Sequence, residues 1–307
     1  MFLIKYSKIW ELYKVGIRAF WTTEEIDLGN DIDQIRNGKL SIKQQRILLN
    51  VLSFFAEADL LVMENILHNF LNIFSKYTCV SSFLAWQAFN ESQHAETYNI
   101  LLETLLFKKD DREKAIAAIN QLPSLVAKNR WLKDSLIESI DIQLLKWLIC
   151  EGIWFQSAFA IIFWFRTKNL LPGLCQSNEL IARDEGLHAE MVSILLNERH
   201  KLQEDIIHQH IIQGVNLEIL YIHEVYVDTD VCGLVKQHLI QYVKFVGDYW
   251  SVKLTAKKIY NVKNPLGFMN MIALQGKTNF FEKKVTEYTR AKSGANYETS
   301  FDNELDF

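Results

Sequence analysis

The hydrophobic pattern of this chain is helical almost throughout. Apolar residues recur at three- and four-residue spacing over long stretches, as on helices with one buried face. Residues 7–20 form the first stretch, carrying Ile9, Leu12, Val15, Ile17 and Phe20. Thr22 and Glu25 then fit a capping box that starts a new turn directly after Trp21. Residues 30–39 are polar and read as a loop. Ser41 is placed to cap a long helix carrying Leu48, Leu52, Phe55, Val62, Ile66, Phe70 and Phe74, with Asp59 in the middle of that apolar face. A second long helix is expected over 81–107, with Glu91, His94 and Tyr98 on it. A polar break over 108–113 and a smaller helix to Leu122 follow, ended by Pro123. A third long helix spans 138–168 around Glu151 and stops at Leu171-Pro172-Gly173. Ser177 or Asn178 is positioned to cap a fourth over 179–199, which holds Asp184, Glu185 and His188. Amphipathic helices over 203–227 and 231–260 follow, and periodicity is lost after Asn264-Pro265.

This pattern predicts an all-α fold, a bundle of long helices over residues 1–285 with a flexible polar tail over 286–307. Composition agrees: only 3 prolines and 12 glycines interrupt 307 residues, and 49% of the chain is hydrophobic, enough for a large core. The net charge of −4 is mild and no basic stripe stands out, so nucleic acid is not expected as a partner. Four cysteines, Cys79, Cys150, Cys175 and Cys232, are scattered without a C-x-x-C, which suits reduced intracellular thiols. The N-terminus lacks the apolar core and cleavage site of a signal peptide, and a cytoplasmic location is expected. Residues 144–165 are apolar enough to suggest a membrane span, but they contain Lys146, Glu151 and Gln156. A charge at mid-span costs roughly 2.5–3.5 kcal/mol, so a helix buried at the centre of a bundle, with no membrane, is the expectation.

The candidate chemistry lies in Glu91-Ser-Gln-His94 and Glu185-Gly-Leu-His188. Each places a carboxylate and an imidazole three residues apart, on one face of a helix. A single Glu-x-x-His is commonplace on helix surfaces. Two copies on two core helices, with the isolated core acids Asp59 and Glu151 on two others, match the ligand set of a ferritin-like di-metal carboxylate bundle. Burying an ionised carboxylate costs several kcal/mol, and no set of Lys or Arg lies at these helical levels to pair all four. Four carboxylates balance two divalent cations. One imidazole per metal among many oxygens suits iron or manganese better than zinc. Tyr98 lies one turn beyond His94 on the same face, where it is either a core tyrosine or a group that a neighbouring metal pair oxidises. Phe155, Phe159 and Ile181 are spaced to wall it off. Asp184 suits an acceptor for the outer nitrogen of His94 or for an indole N–H, and spacing alone does not single out Trp21 among eight tryptophans.

These stretches together resemble the small, radical-generating subunit of class I ribonucleotide reductase, over nearly the whole chain. The resemblance is carried by Phe20-Trp-Thr-x-Glu-Glu-Ile-Asp-Leu28, Phe54-Phe-Ala-x-x-Asp59 with Glu64-Asn65, Glu91-x-x-His94-x-x-x-Tyr98 and Glu151-Gly-Ile153. It continues through Leu171-Pro-Gly173, Ser177-Asn-Glu-Leu-Ile-Ala-Arg-Asp-Glu-Gly-Leu-His188 and Gly276-Lys-Thr-Asn-Phe-Phe-Glu-Lys283, the last being similar to the eukaryotic and viral branch. It implies that Asp59, Glu91, His94, Glu151, Glu185 and His188 ligate two iron ions, oxo-bridged, with Glu91 and Glu185 between them. It implies a tyrosyl radical on Tyr98, made with oxygen and used for deoxyribonucleotide synthesis. His94, Asp184 and Trp21 then form the hydrogen-bonded route out, and Tyr288 relays the oxidising equivalent onward. The resemblance further implies a homodimer, and docking of the tail, with Phe301 and Phe307, on a large catalytic subunit that reduces the nucleotides. Gln93, Thr97 and Gln156 depart from the commonest residues near the ligands. Two other readings share the six ligands: a di-iron oxidase or desaturase with a substrate tunnel, and an iron-handling bundle without a radical.

Overall fold

Polar caps set where the long apolar stretches begin to coil. In the computed structural model, residues 4–105 and 109–270 are described, and the helices run α1 Ser7–Arg18, α2 Gly29–Arg36, α3 Ile42–Asn65, α4 Leu71–Ile73, α5 Thr78–Leu105, α6 Lys109–Ile119, α7 Pro123–Asp134, α8 Ile140–Ile149, α9 Gln156–Thr167, α10 Pro172–Arg199, α11 Glu204–Val225 and α12 Lys236–Thr255. Ser41 caps α3 as expected: its Oγ accepts from the Gln44 N–H at 3.3 Å, while Gln44 Oε1 accepts from the Ser41 N–H at 2.8 Å. Glu25 Oε1 likewise accepts from the Thr22 N–H, at 3.0 Å, around a short 3-10 turn over Thr23–Glu25.

The all-α expectation holds, apart from one two-residue hairpin, Asp230–Val231 against Leu234–Val235, just before α12. Helix α3 packs along α5, while α10 packs on α8 and α9; α11 and α12 pair outside them. Within the apolar stretch 140–167 that could pass for a membrane span, the most apolar 18-residue window is 94% buried inside the protein. It forms the central helix, interrupted once by a π-turn at Cys150–Trp154. A second π-turn, Ile66–Phe70, joins α3 to α4. Residues 271–307 lie outside the described residues, and with them the expected boundary at 285/286, Tyr288, Phe301 and Phe307.

Three local expectations are corrected. The polar stretch 30–39 is not a loop: α2 occupies Gly29–Arg36. It serves α10, because both oxygens of the buried Asp31 carboxylate accept backbone N–H groups from that helix's first turn, Gly173 at 2.9 Å and Leu174 at 2.8 Å. Helix α10 therefore starts at Pro172, earlier than a cap at Ser177 or Asn178 would allow. Gly173 is needed for this approach, since a Cβ there would lie 2.3 Å from the Asp27 carbonyl oxygen. Pro123 does not only end a helix. It occupies the first turn of α7, where its missing N–H costs nothing.

Helix α7 is clamped from beneath by a buried ion pair. Lys128 and Glu218 of α11 are 3% and 0% exposed and bond directly, and Ser157 of α9 also donates to Glu218. The ammonium sits over aromatic rings, 4.6 Å from the centroid of Tyr221, 5.0 Å from Trp154 and 5.2 Å from Phe54. The pair thus ties α7, α9 and α11 around the π-turn. Lys128→Met leaves the Glu218 carboxylate buried without its cation and is expected to destabilise the fold by about 3–5 kcal/mol in denaturant unfolding. The double variant Lys128→Met/Glu218→Leu is expected to recover most of that loss.

Candidate metal centre

Four helical segments bring one constellation together. Asp59 comes from α3, Glu91 and His94 from α5, Glu151 from the π-turn, and Glu185 and His188 from α10. All six are at most 1% exposed. Ligand atoms of Glu91, Glu151, Glu185 and His188 lie within 4.8 Å of one another, as do those of Asp59, Glu91 and His94. Glu91 belongs to both groups. Glu185 also spans them, with Oε1 3.0 Å from His94 Nδ1 and Oε2 3.3 Å from His188 Nδ1. Each imidazole turns Nδ1 inward: His94 Nδ1 is 3.4 Å from Glu91 Oε2 and His188 Nδ1 is 3.2 Å from Glu91 Oε1.

The cluster fits a pair of cations. Both Asp59 oxygens, Glu91 Oε2, Glu151 Oε2, Glu185 Oε1 and His94 Nδ1 are buried with no hydrogen-bond partner. Glu185 Oε1 and His94 Nδ1 approach closely without the alignment of a hydrogen bond, as donors converging on a common ion do. So many orphaned acceptors would be costly in an apolar interior unless positive charge is supplied.

With protons as the only positive charge, the same groups divide into two kinds. Burial, then the charges of Glu91 and Glu185, push Asp59 well above the usual carboxylate range. Burial and the same neighbours push Glu151 up. Glu185 is pushed up by burial but pulled below its usual range by His188, which also hydrogen-bonds it, and by the nearby His94. Burial opposes charge on the imidazoles, yet the surrounding carboxylates prevail: His188 rises to about 9, and His94, also facing Asp184, rises well above its ordinary value.

Behind His94 lie Asp184 and Trp21. The Trp21 indole donates to Asp184 Oδ2 at 2.7 Å, and His94 Nε2 lies 3.5 Å from the same oxygen. The Trp21 and His94 rings stack with centroids 6.2 Å apart. Two residues that spacing did not reveal fix this carboxylate: Asn90 donates to Oδ2 at 2.9 Å, and Arg183 donates to Oδ1 at 2.8 and 2.9 Å while also holding the Ala19 carbonyl. Burial pushes Asp184 up, but Arg183 and His94 outweigh it and keep the carboxyl below its usual range. Gln93 and Thr97 secure the same entry segment. Gln93 donates to the Trp21 carbonyl at 3.1 Å, and the Thr97 hydroxyl lies 3.4 Å from that of Thr23. Gln156 faces away from the cluster, accepting from Tyr242 at 3.3 Å.

Tyr98 is fully buried. Its hydroxyl donates to Asn178 Oδ1 at 2.8 Å, and Asn178 is held in turn by donating to the Leu174 carbonyl at 2.9 Å. Phe55 stacks on the phenol ring with centroids 4.6 Å apart and planes within 4°. Phe155 and Phe159 form the layer behind Phe55, at 5.6 and 4.9 Å, rather than the wall itself. Burial, then nearby Asp59, push the phenol well above its ordinary pKa, so it is held neutral. A cavity of about 500 Å³ opens between α3, α7 and α8 and stops at Trp147 and Cys150; none of the six candidate ligands lines it.

The sequence matches the family model for "Ribonucleotide reductase, small chain" over residues 1–265. It is 38% identical over 295 residues to the ribonucleoside-diphosphate reductase small chain of Trypanosoma brucei brucei, covering 95% of this chain and 86% of the relative. It is 35% identical over 314 residues to the Variola virus small chain, covering 100% of this chain and 96% of the relative. The solved structure of the ribonucleotide reductase Rnr4 homodimer from Saccharomyces cerevisiae superposes with a TM-score of 0.77 at 27% identity, over 94% of this chain and 89% of that one. A helical bundle that buries two Glu-x-x-His helices and two further acids at one level, aligned end to end with such relatives, admits one conclusion: this chain belongs to the small-chain family of ribonucleotide reductase, an oxidoreductase.

Proposed function

We propose that this chain generates and stores the radical for reduction of ribonucleotides to deoxyribonucleotides, with two iron ions held by Asp59, Glu91, His94, Glu151, Glu185 and His188. The iron pair supplies oxygen activation and one-electron oxidation when bound. Glu91 and Glu185, which face both imidazoles, take the shared positions. Oxygen-rich sites with one imidazole per ion accept iron and manganese alike; the oxidisable Tyr98 beside the cluster favours iron in this reading.

The observation that carries the proposal is the setting of Tyr98. The phenol lies one helical turn beyond His94, sealed from water, against Phe55 and an amide oxygen. Asn178 is a neutral acceptor whose orientation is fixed through its own Nδ2, so the phenol is held in place without being ionised. Sealing keeps external reductants from an oxidised ring. Asp184 stands at the other end of the system: its Oδ2 accepts from the Trp21 indole and lies 3.5 Å from His94 Nε2, which places the N-terminal segment beside the cluster.

In this reading the chain acts as a homodimer in the cytoplasm. Its terminal segment, with Tyr288, Phe301 and Phe307, docks on the large catalytic subunit where nucleotides are reduced. The Rnr4 relative is itself a homodimer. A di-metal oxidase would require a substrate path to the ligands, and none of the six lines the cavity of about 500 Å³ between α3, α7 and α8.

The deciding experiment is electron paramagnetic resonance on metal-free protein loaded with ferrous iron and exposed to oxygen. A tyrosyl signal is expected in the wild type and none in Tyr98→Phe; iron oxidation without a signal in either would overturn the proposal. Anaerobic ferrous titration is expected to give two ions per chain, with Asp59→Ala weakening one of them and Glu91→Ala both. Asp184→Asn is expected to keep the tyrosyl signal but to lose nucleotide reduction when mixed with a large subunit.

A further inference from the structure

One buried indole touches a candidate ligand directly and has no part in the radical route. Trp147, in the last turn of α8, is 2% exposed and donates its Nε1–H to Glu151 Oε1 at 2.6 Å. Gln87 of α5 donates to the same oxygen at 2.9 Å and to Glu91 Oε1 at 3.2 Å. The other oxygen, Glu151 Oε2, is buried and has no hydrogen-bond partner. It is the oxygen turned toward the cluster, 4.0 Å from His188 Nδ1.

We propose that Trp147 is a positioning residue of the metal centre: with Gln87 it occupies Oε1 of Glu151 and so presents that carboxylate to a metal ion through Oε2 alone. This rests on the reading of the cluster as a metal centre, and not on the radical. An ionised carboxylate has two equivalent oxygens and turns easily between one-oxygen and two-oxygen ligation. Two N–H donors on one oxygen remove that equivalence, because chelation through Oε1 would break both bonds.

The indole is itself fixed. Its ring stacks on Phe70, the last residue of the other π-turn, with centroids 4.3 Å apart and planes within 20°. Trp147 also lines the 500 Å³ cavity, alongside Cys150 and Phe155. One edge of the ring thus faces the cavity system and the other holds the ligand. Glu151 in particular needs such a brace. It lies in a π-turn, Cys150–Trp154, where the regular i to i−4 ladder is interrupted, so its backbone does not set its direction as firmly as that of Glu91 or Glu185.

A tryptophan packed in a core often donates to whatever acceptor is near, and a purely structural role for Trp147 would show only as lost stability. Trp154 supplies the comparison. It lines the same cavity and donates to the Gly214 carbonyl at 3.0 Å. The test is anaerobic titration of the full metal-free chain with Fe(II), following affinity and near-infrared ligand-field bands, for wild type, Trp147→Phe and Trp154→Phe. In Trp147→Phe one of two ions is expected to bind roughly 10- to 100-fold more weakly with its bands shifted, the other remaining as in wild type. Trp154→Phe is expected to lower the thermal midpoint but leave the titration unchanged. Gln87→Met, which removes the second donor from another helix, is expected to weaken binding as well.

Wild-type titration and bands in Trp147→Phe would overturn the proposal, as would equal losses in Trp147→Phe and Trp154→Phe. Should Trp147→Phe not fold, unchanged binding in Gln87→Met would overturn it equally. Binding is read without oxygen. A wild type that takes two ions but forms no tyrosyl signal would therefore sink the radical reading and leave this one standing. A wild type that takes none would sink both.

Discussion

Four carboxylates and two imidazoles cannot share one dry pocket unless something brings in compensating positive charge. Each ion taken out of water carries a penalty of several kcal/mol even after the surroundings relax. The described residues place no lysine or arginine contact on any of the six. Protons meet the demand only by splitting the set: Asp59 and Glu151 are pushed up, Glu185 is pulled down, and both imidazoles are raised. Two divalent cations meet it symmetrically. The bundle around the pocket is arranged to hold that concentrated polarity still.

The braces differ with the backbone beneath each ligand. On α5 and α10, regular helix projects Glu and His three residues apart onto one face, so geometry comes from the coil itself. Asp184, next to Glu185, then lies 3.5 Å from His94 Nε2 on the outer side, with Asn90, Arg183 and Trp21 restraining Asp184. At Glu151 the coil is a π-turn, and side chains compensate: Trp147 and Gln87 hold one oxygen. Gly152, immediately after, lets Trp250 lie against the turn and donate to the Gly152 carbonyl at 2.9 Å, where a Cβ would stand 2.4 Å from the indole nitrogen. The Lys128–Glu218 pair clamps the same region from α7 and α11. The irregular segment is therefore the most heavily supported one.

That the six candidate ligands would meet in one buried cluster with Tyr98 on the same helix face was legible in the sequence, because the logic is periodic. Spacing of three places Glu and His together, spacing of four adds Tyr98, and an acid alone in an apolar run demands a reason. What was not legible depends on contacts between distant segments. Trp21 reaches Asp184 across 163 positions, a pairing that the family resemblance implied but no spacing announced, and Asn178 meets Tyr98 across 80 with neither signal. Helix α2 was misread as a loop because its burial is served by one residue, Asp31, whose purpose lies at the start of α10. The early start of α10 was missed for the same reason: its N-terminal N–H groups are satisfied by another helix instead of a local cap. Phe55 was visible as a core residue, yet only the packed fold shows it stacked on the phenol, ahead of Phe155 and Phe159.

Two aromatic residues beside the cluster, Tyr98 and Trp147, are held by opposite chemistry. Tyr98 donates to a neutral amide, which leaves its proton in place and its ring insulated by Phe55. Trp147 donates to a carboxyl oxygen of Glu151, itself a candidate ligand, so in our proposal its N–H helps define the surroundings of a bound metal. A redox-active phenol needs isolation from the bulk and a fixed distance from the oxidant. A ligand brace needs the reverse, direct contact and a strong, directional bond to a charged oxygen. Tyr98 lies on the α5–α10 side and Trp147 at the π-turn, so the proposed storage of an oxidising equivalent and the proposed control of the ligand shell fall on different segments. Perturbing one need not disturb the other, and that separability follows from which acceptor each aromatic group was given.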